Sequence, residues 1–295
     1  VFPVDAQLSG DFRGDLWSVK KLDIRASDGH LGASGTLIGP PHFGDTNLSV
    51  NGNFVSLANF NRLLGQELPD LPATIELDLK GDGDRLRLKP MSLRIGESSL
   101  EGDLTIAEGD VPRIEGSFHS SRLDMGALLP ERAEPTPPDA EVPADPRQGP
   151  VAGKRSAKKS AEKVIPDTPI PMEVLQKFNA EIDIKVDELI YSPHIIRNVI
   201  LDTKVEAGAF GFKRFGLHTP RGGRLEGVLK LRPTPQGPHL GARLYGNELT
   251  IGLPAKDEQE LKNLPHYDLS FAAKSTGATV RSMAAAADGY IRLEM

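Results

Sequence analysis

Ile75-Glu76-Leu77-Asp78-Leu79-Lys80-Gly81-Asp82-Gly83-Asp84-Arg85-Leu86-Arg87-Leu88-Lys89 is the stretch that decides the fold. Ile75, Leu77 and Leu79 alternate with Glu76, Asp78 and Lys80. A period of two places the aliphatic side chains on one face of an extended strand and the charges on the other. Gly81-Asp82-Gly83-Asp84 supplies residues that tolerate turn geometry, and the alternation then resumes from Arg85 to Lys89, which predicts a meander hairpin. The same alternation recurs at residues 100–106, 180–186, 199–205, 225–231 and 269–273. One face reads aliphatic and the other heavily charged, as in an antiparallel sheet wetted on one side.

An internal repeat orders these strands. Ala33-Ser34-Gly35-Thr36-Leu37, Leu100-Glu101-Gly102-Asp103-Leu104 and Leu225-Glu226-Gly227-Val228-Leu229 are alike. Each is followed by a turn and a further strand starting near Gly52, Gly116 and Gly241. The first two copies end in short helical stretches, 57–64 and 123–129, and the third in Leu249-Thr250-Ile251-Gly252-Leu253-Pro254. The fold class expected is mainly β: an elongated, repetitive antiparallel sheet, groove-like and half-open, with a few short helices. Further short helices are expected at 172–178, after a capping box of Asp257 and Glu260 leading into Leu261 and Leu264, and at 280–287, capped by Thr279 and stopped by Gly289.

The chain has 295 residues, 38% hydrophobic and 26% charged, and its 30 Gly and 24 Pro exceed ordinary globular usage. Part of that excess is hairpin turns and part is one segment, residues 131–165. This segment is Pro-rich, acidic in its first half and basic in its second, and too poor in apolar groups to offset the entropy of ordering. It reads as a disordered linker between a β-repeat segment at 1–130 and a second β segment at 166–295, and its basic half is suited to anionic lipid headgroups. A net charge of -6 offers nucleic acid no bulk field. The absence of Cys excludes disulfides, thiolate metal sites and thiol nucleophiles. The longest apolar run, Met283 to Ala287, is far short of the roughly 20 residues that span a bilayer. A start at Val1 and a strand-like end at 290–295 read as a fragment, so any membrane attachment is expected through an N-terminal anchor outside this chain.

Signs of reaction chemistry are sparse. Seven His residues stand apart from one another, no Gly-x-Ser-x-Gly elbow occurs, and the nearest approach to a phosphate loop, Gly149 followed by Gly153-Lys154-Arg155, has the wrong spacing. Asp82 and Asp84 offer a cation too few oxygens. The carboxylates alternate with apolar residues on a face expected to be wet, where pKa values are not displaced in the way acid-base catalysis needs. No catalytic, metal or cofactor-binding residue is assigned, and a non-enzymatic protein is expected.

Leu100-Glu101-Gly102-Asp103-Leu104-Thr105-Ile106, Pro112 to Phe118 and Leu123-Asp124-Met125-Gly126-Ala127-Leu128-Leu129-Pro130 in the first half resemble the AsmA family of Gram-negative envelope proteins. So do Ile184 to Tyr191, the Asn198-Val199 strand start, Gly222 to Gly227 and Ala287-Asp288-Gly289-Tyr290-Ile291 in the second. Their order is similar to that of the C-terminal region of such a protein. The resemblance implies an inner-membrane-anchored periplasmic protein that supports outer-membrane biogenesis and assembly, with phospholipid as its cargo. The sequence departs from that pattern in lacking the anchor and in carrying the Pro-rich linker.

One physical point agrees with that implication. Exposing an acyl tail of some 16 carbons to water costs about 13 kcal/mol at roughly 0.8 kcal/mol per methylene, and a continuous apolar face removes this cost. The candidate lining residues are Ile75, Leu77, Leu79, Leu86, Leu88, Leu104, Ile106, Ile182, Ile184, Val186, Leu225, Leu229 and Leu231. The same residues could instead pack against a second sheet as an ordinary core. A scaffold that binds envelope proteins through sheet edges, regulating their targeting to the outer membrane, is the alternative function. A carbohydrate-active or hydrolytic enzyme is a distant third.

Overall fold

The computed structural model describes residues 4–13, 16–26, 29–38, 43–61, 65, 67–129, 167–191, 194–219, 222–250 and 265–295. The linker expected at 131–165, the helix expected after Asp257 and the Gly149–Gly153 loop lie outside them.

Within these residues the chain is mainly β and forms sixteen strands of one long open sheet. The first half supplies β1 (Val4–Arg13), β2 (Leu16–Ala26), β3 (Gly29–Ile38), β4 (Asn47–Phe54), β5 (Ala73–Asp82), β6 (Arg85–Ile95), β7 (Ser98–Ala107), β8 (Arg113–Ser120) and the two-residue β9 (Leu123–Asp124). The second supplies β10 (Asn179–Tyr191), β11 (His194–Glu206), β12 (Ala209–His218), β13 (Arg224–Arg232), β14 (His239–Thr250), β15 (His266–Thr276) and β16 (Asp288–Glu294). Spatial order follows chain order, with β9 paired to β10 off the main path. The fourteen spacings along that path give a sheet about 67 Å wide, with strands about 33 Å long.

The deciding hairpin forms with Leu79 opposite Leu88, Gly81 opposite Leu86 and Asp82 opposite Arg85. Its turn is only Gly83 and Asp84, and Gly83 takes φ +61°, which a side chain would resist. Asp82 and Asp84 face Arg87 and Arg85 at 3.9 and 4.0 Å.

Two features depart from the sequence expectation. Every strand pair is antiparallel except in the middle, where β10 runs parallel to β8 and β9. Parallel neighbours need a crossover, and residues 130–166 join them: the chain leaves β8 at one end of the strands and enters β10 at the other. At 57–64, Leu57–Phe60 is a 3₁₀ turn capped by Ser56, Asn61 is helical and its carbonyl accepts from the Gly65 amide at 2.8 Å, and 62–64 lie outside the described residues. The other described helices are shorter than expected. Leu123 and Asp124 pair with Leu189 and Ile190, leaving only α1 (Met125–Leu128), capped by Asp124. Likewise α2 (Met172–Leu175) stops before Phe178, and α3 (Val280–Ala285) stops before Asp288 because the following residues are drawn into strands. One-turn helices do not hold by propensity and survive on caps and contacts. Gly289, expected to stop a helix, lies in β16, where a Cβ would stand 2.1 Å from the Ala272 carbonyl oxygen. Asn198, expected at a strand start, lies inside β11 with φ +50°.

The short helices sit at the ends of the strands. Near α1, the Asp124 amide donates to Ser98 Oγ at 3.0 Å. At the opposite end, residues 167–170 strap onto the start of α3. The Ile170 amide donates to the Ala278 carbonyl, the Val280 amide to the Thr168 carbonyl, and Asp167 takes Thr279 Oγ1 at 2.7 Å and Arg281 at 3.3 Å. From there the chain returns to Asn179 at the start of β10, passing the β11–β12 turn, where a Cβ on Gly208 would stand 2.8 Å from Gln176 Cγ.

Candidate functional site

Residues paired across a ladder project from the same face, so the register traces each face strand by strand. One row runs Leu22–Ala33–Val50–Leu77–Met91–Gly102–Phe118–Ile184–Leu201–Phe215–Gly227–Leu244–Phe271–Ile291, from β2 to β16. It contains no polar residue. A second row passes through Leu79, Leu88, Leu104, Ile182 and Leu229, interrupted in polarity by Thr203. A third passes through Leu86, Ile106 and Leu231. Ile75 is opposite Gly52 and Leu93, Val186 opposite Ser120 and Val199, and Leu225 opposite Leu217 and Gly246. All thirteen candidate residues therefore share one groove-like apolar face.

Their burial is graded. Leu86 and Val186 are buried, at 9% and 5% exposure, and the other eleven are half-buried. All the described strands belong to one sheet, so among the described residues no second sheet covers this face. It is relieved by glycines over which neighbours fold: a Cβ on Gly102 would meet Phe118 Cδ1 at 2.7 Å, and one on Gly116 would meet Phe118 Cε2 at 3.0 Å. Phe210 and Phe212 meet edge to face at 5.1 Å between ring centroids. At one end the face finishes in an ion-paired rim, where Glu188 accepts from Arg122 at 3.2 Å and lies 3.7 Å from Arg197.

The thirteen candidates omit several members of the face: Leu201 and Phe271, which lie in stretches read as alternating, and Met91, Phe118, Phe212, Phe215 and Leu244, which do not. Irregular register explains two of the gaps. Phe212 and Phe215 stand three apart, as do Leu88 and Met91, and the intervening Lys213-Arg214 and Lys89-Pro90 each oppose a single residue of the next strand, so that each pair carries one extra residue, a bulge. Two apolar residues bracketing a polar pair, inside otherwise clean alternation, were the available signal.

The opposite face carries the charge. Lys213 hydrogen-bonds Glu181, Arg113 lies 3.8 Å from it, Arg214 pairs with Asp202 at 3.3 Å and Lys204 with Glu206 at 2.8 Å. The Lys213 hydrogen bond holds the Glu181 carboxyl below the usual range, and Glu181 in turn raises Lys213. Arg25, bonded to both carboxylate oxygens of Asp23, lowers that group in the same way. Such shifts keep both partners charged, the opposite of what a proton-transfer pair near neutrality requires. Among the described residues no three His, Asp or Glu side chains converge on a metal position, and no helix is long and apolar enough to cross a membrane. No family model, curated protein or solved structure matches the chain.

Proposed function

We propose that this chain is a non-enzymatic β module that shields phospholipid acyl tails along its apolar face, in support of outer-membrane assembly. The resemblance to the AsmA family supplies the periplasmic setting and the anchor outside this chain. The observation that carries the reading is the uninterrupted apolar row from Leu22 to Ile291, most of it half-buried. One leaflet of a bilayer is about 15 Å deep, half of a core of roughly 30 Å, so the 33 Å strand length exceeds the length of a tail. The linker's basic half, outside the described residues, adds attraction for anionic headgroups.

Gentle purification followed by lipid extraction and mass spectrometry tests it. Co-purifying phospholipid is expected at near-stoichiometric amounts, and Leu77→Asp or Ile184→Asp should remove it while the sheet persists. Absence of lipid from the folded wild-type chain would refute the proposal.

A second reading has its own observation. The edge strand β16 leaves Ile291 and Leu293 at 67% and 51% exposure. An unpaired edge with exposed aliphatics is suited to strand addition by an envelope protein. A cross-link from β16 to a partner in lipid-free protein would favour that scaffold.

A further inference from the structure

On the charged face, among the described residues, four cations without a carboxylate partner gather around one depression. Register lays out a grid over β13–β16: Val228, Arg243, Ala272 and Tyr290 in one row, then Lys230, Gly241, Lys274 and Asp288 in the next, with Arg232 opposite His239 beyond. The small residues Gly241 and Ala272 form the floor of a depression of about 520 Å³, and the long side chains ring it. A Cβ on Gly241 would meet nothing within 4 Å, so the floor is open space.

Elsewhere on this face Arg113, Lys204, Lys213, Arg214 and Arg224 each have a carboxylate partner. Lys230, Arg232, Arg243 and Lys274 have none within ion-pair distance among the described residues; the one acid at the site, Asp288, is cross-strand to Lys274 without reaching it. Four cations against one carboxylate leave a local charge of about +3 on a chain whose net charge is -6. His239 is already engaged with Thr276 at 3.0 Å, and Tyr290 brings a hydroxyl to the rim.

We propose that this depression is a binding site for a phosphate-class oxyanion, separate from the apolar face and on the other side of the sheet. A phosphate group near neutrality carries one to two charges and several acceptor oxygens. The Arg243 and Arg232 guanidiniums offer planar forks to such oxygens, and Lys230 and Lys274 offer point charges from either side of Gly241. The same chemistry is presented by a free phosphate compound and by an anionic lipid headgroup. The site does not depend on tails binding to the apolar face.

The full chain is tested by calorimetry with pyrophosphate and by sedimentation with phosphatidylglycerol vesicles, using phosphatidylcholine vesicles as control. Binding in the first assay identifies a free phosphate as the source; binding selective for phosphatidylglycerol, with none to pyrophosphate, identifies a headgroup. In either case Arg243→Gln with Lys274→Gln should weaken binding about tenfold or more. Lys80→Gln with Arg94→Gln, which removes the same charge elsewhere on this face, should leave it nearly unchanged. Gly241→Ile fills the floor while keeping every cation, and should weaken binding as much as the charge variant. The proposal is overturned if neither probe binds, if both double variants lose equally, if Gly241→Ile binds normally, or if polyglutamate binds as tightly as pyrophosphate.

Discussion

Val186 and Leu77 occupy the same face of the same sheet, yet they are not equivalent. Val186 is buried between Ser120 and Val199, whereas Leu77 is half-buried between Val50 and Met91. An aspartate at 186 would be an unpaired buried charge, and Val186→Asp should abolish cooperative folding. Leu77→Asp should cost about 1–2 kcal/mol, because its carboxylate can reach water. Urea denaturation of the two variants checks the difference. On the charged face, the folded-state pKa of Glu181 lies below its unfolded value. Its contribution is therefore fully present above the ordinary carboxylate range and is lost as pH falls through the folded-state pKa. The stability gap between wild type and Glu181→Gln should be open at pH 7 and should shrink as the solution is acidified through and below the ordinary carboxylate range, read by thermal melts. The pair is exposed, so the gap at pH 7 should be under about 1 kcal/mol.

Among the elements, the repeat glycines show what local pattern leaves unsaid. Gly35, Gly102 and Gly227 recur in the sequence as a motif, and the structure supplies a shared reason. A Cβ there would stand 1.9, 2.3 and 2.6 Å from the carbonyl oxygens of Asn47, Ser117 and Arg243 on the following strand. The motif marks close strand approach. Gly102→Ala should therefore destabilise the sheet by about 1–3 kcal/mol. Gly241→Ala, where the added methyl meets nothing, should be neutral or mildly stabilising. Denaturant midpoints of the two variants separate them. Alternation at 75–88, 100–106 and 180–186 was legible because the side chains alternate without a bulge residue there. Phe212 and Phe215 were not, because a bulge hides its phase until the partner strand is known. The capping of α3 by Thr279 could be read in advance, since a cap depends on near neighbours; its strap to Asp167, 112 residues away, could not.

For the whole molecule, the parallel junction of β8 and β10 gives residues 130–166 a geometric task. The chain must pass from the end of α1 to Asp167, beside α3 at the far end of the strands. Crossing one strand length and five strand spacings is a path of about 41 Å, or at least roughly 12 extended residues. Deleting about 20 residues from 131–165 should leave the sheet intact, whereas leaving fewer than about 10 should break the β8–β10 pairing or the strap. Circular dichroism and protease resistance of the two deletions would show the difference.

Period-two alternation and turn residues are local properties, so the β class, the apolar and charged sides of the regularly alternating strands and the absence of a membrane-spanning apolar run were written in the sequence alone. Which strand lies beside which is non-local. Continuity of fourteen residues from Leu22 to Ile291, the parallel junction, the strap of 167–170 onto α3 and the unpaired cations around Gly241 all arise where residues far apart in the chain become neighbours. Only the tertiary structure decided them, because register between strands depends on the packing and hydrogen bonding of both partners at once.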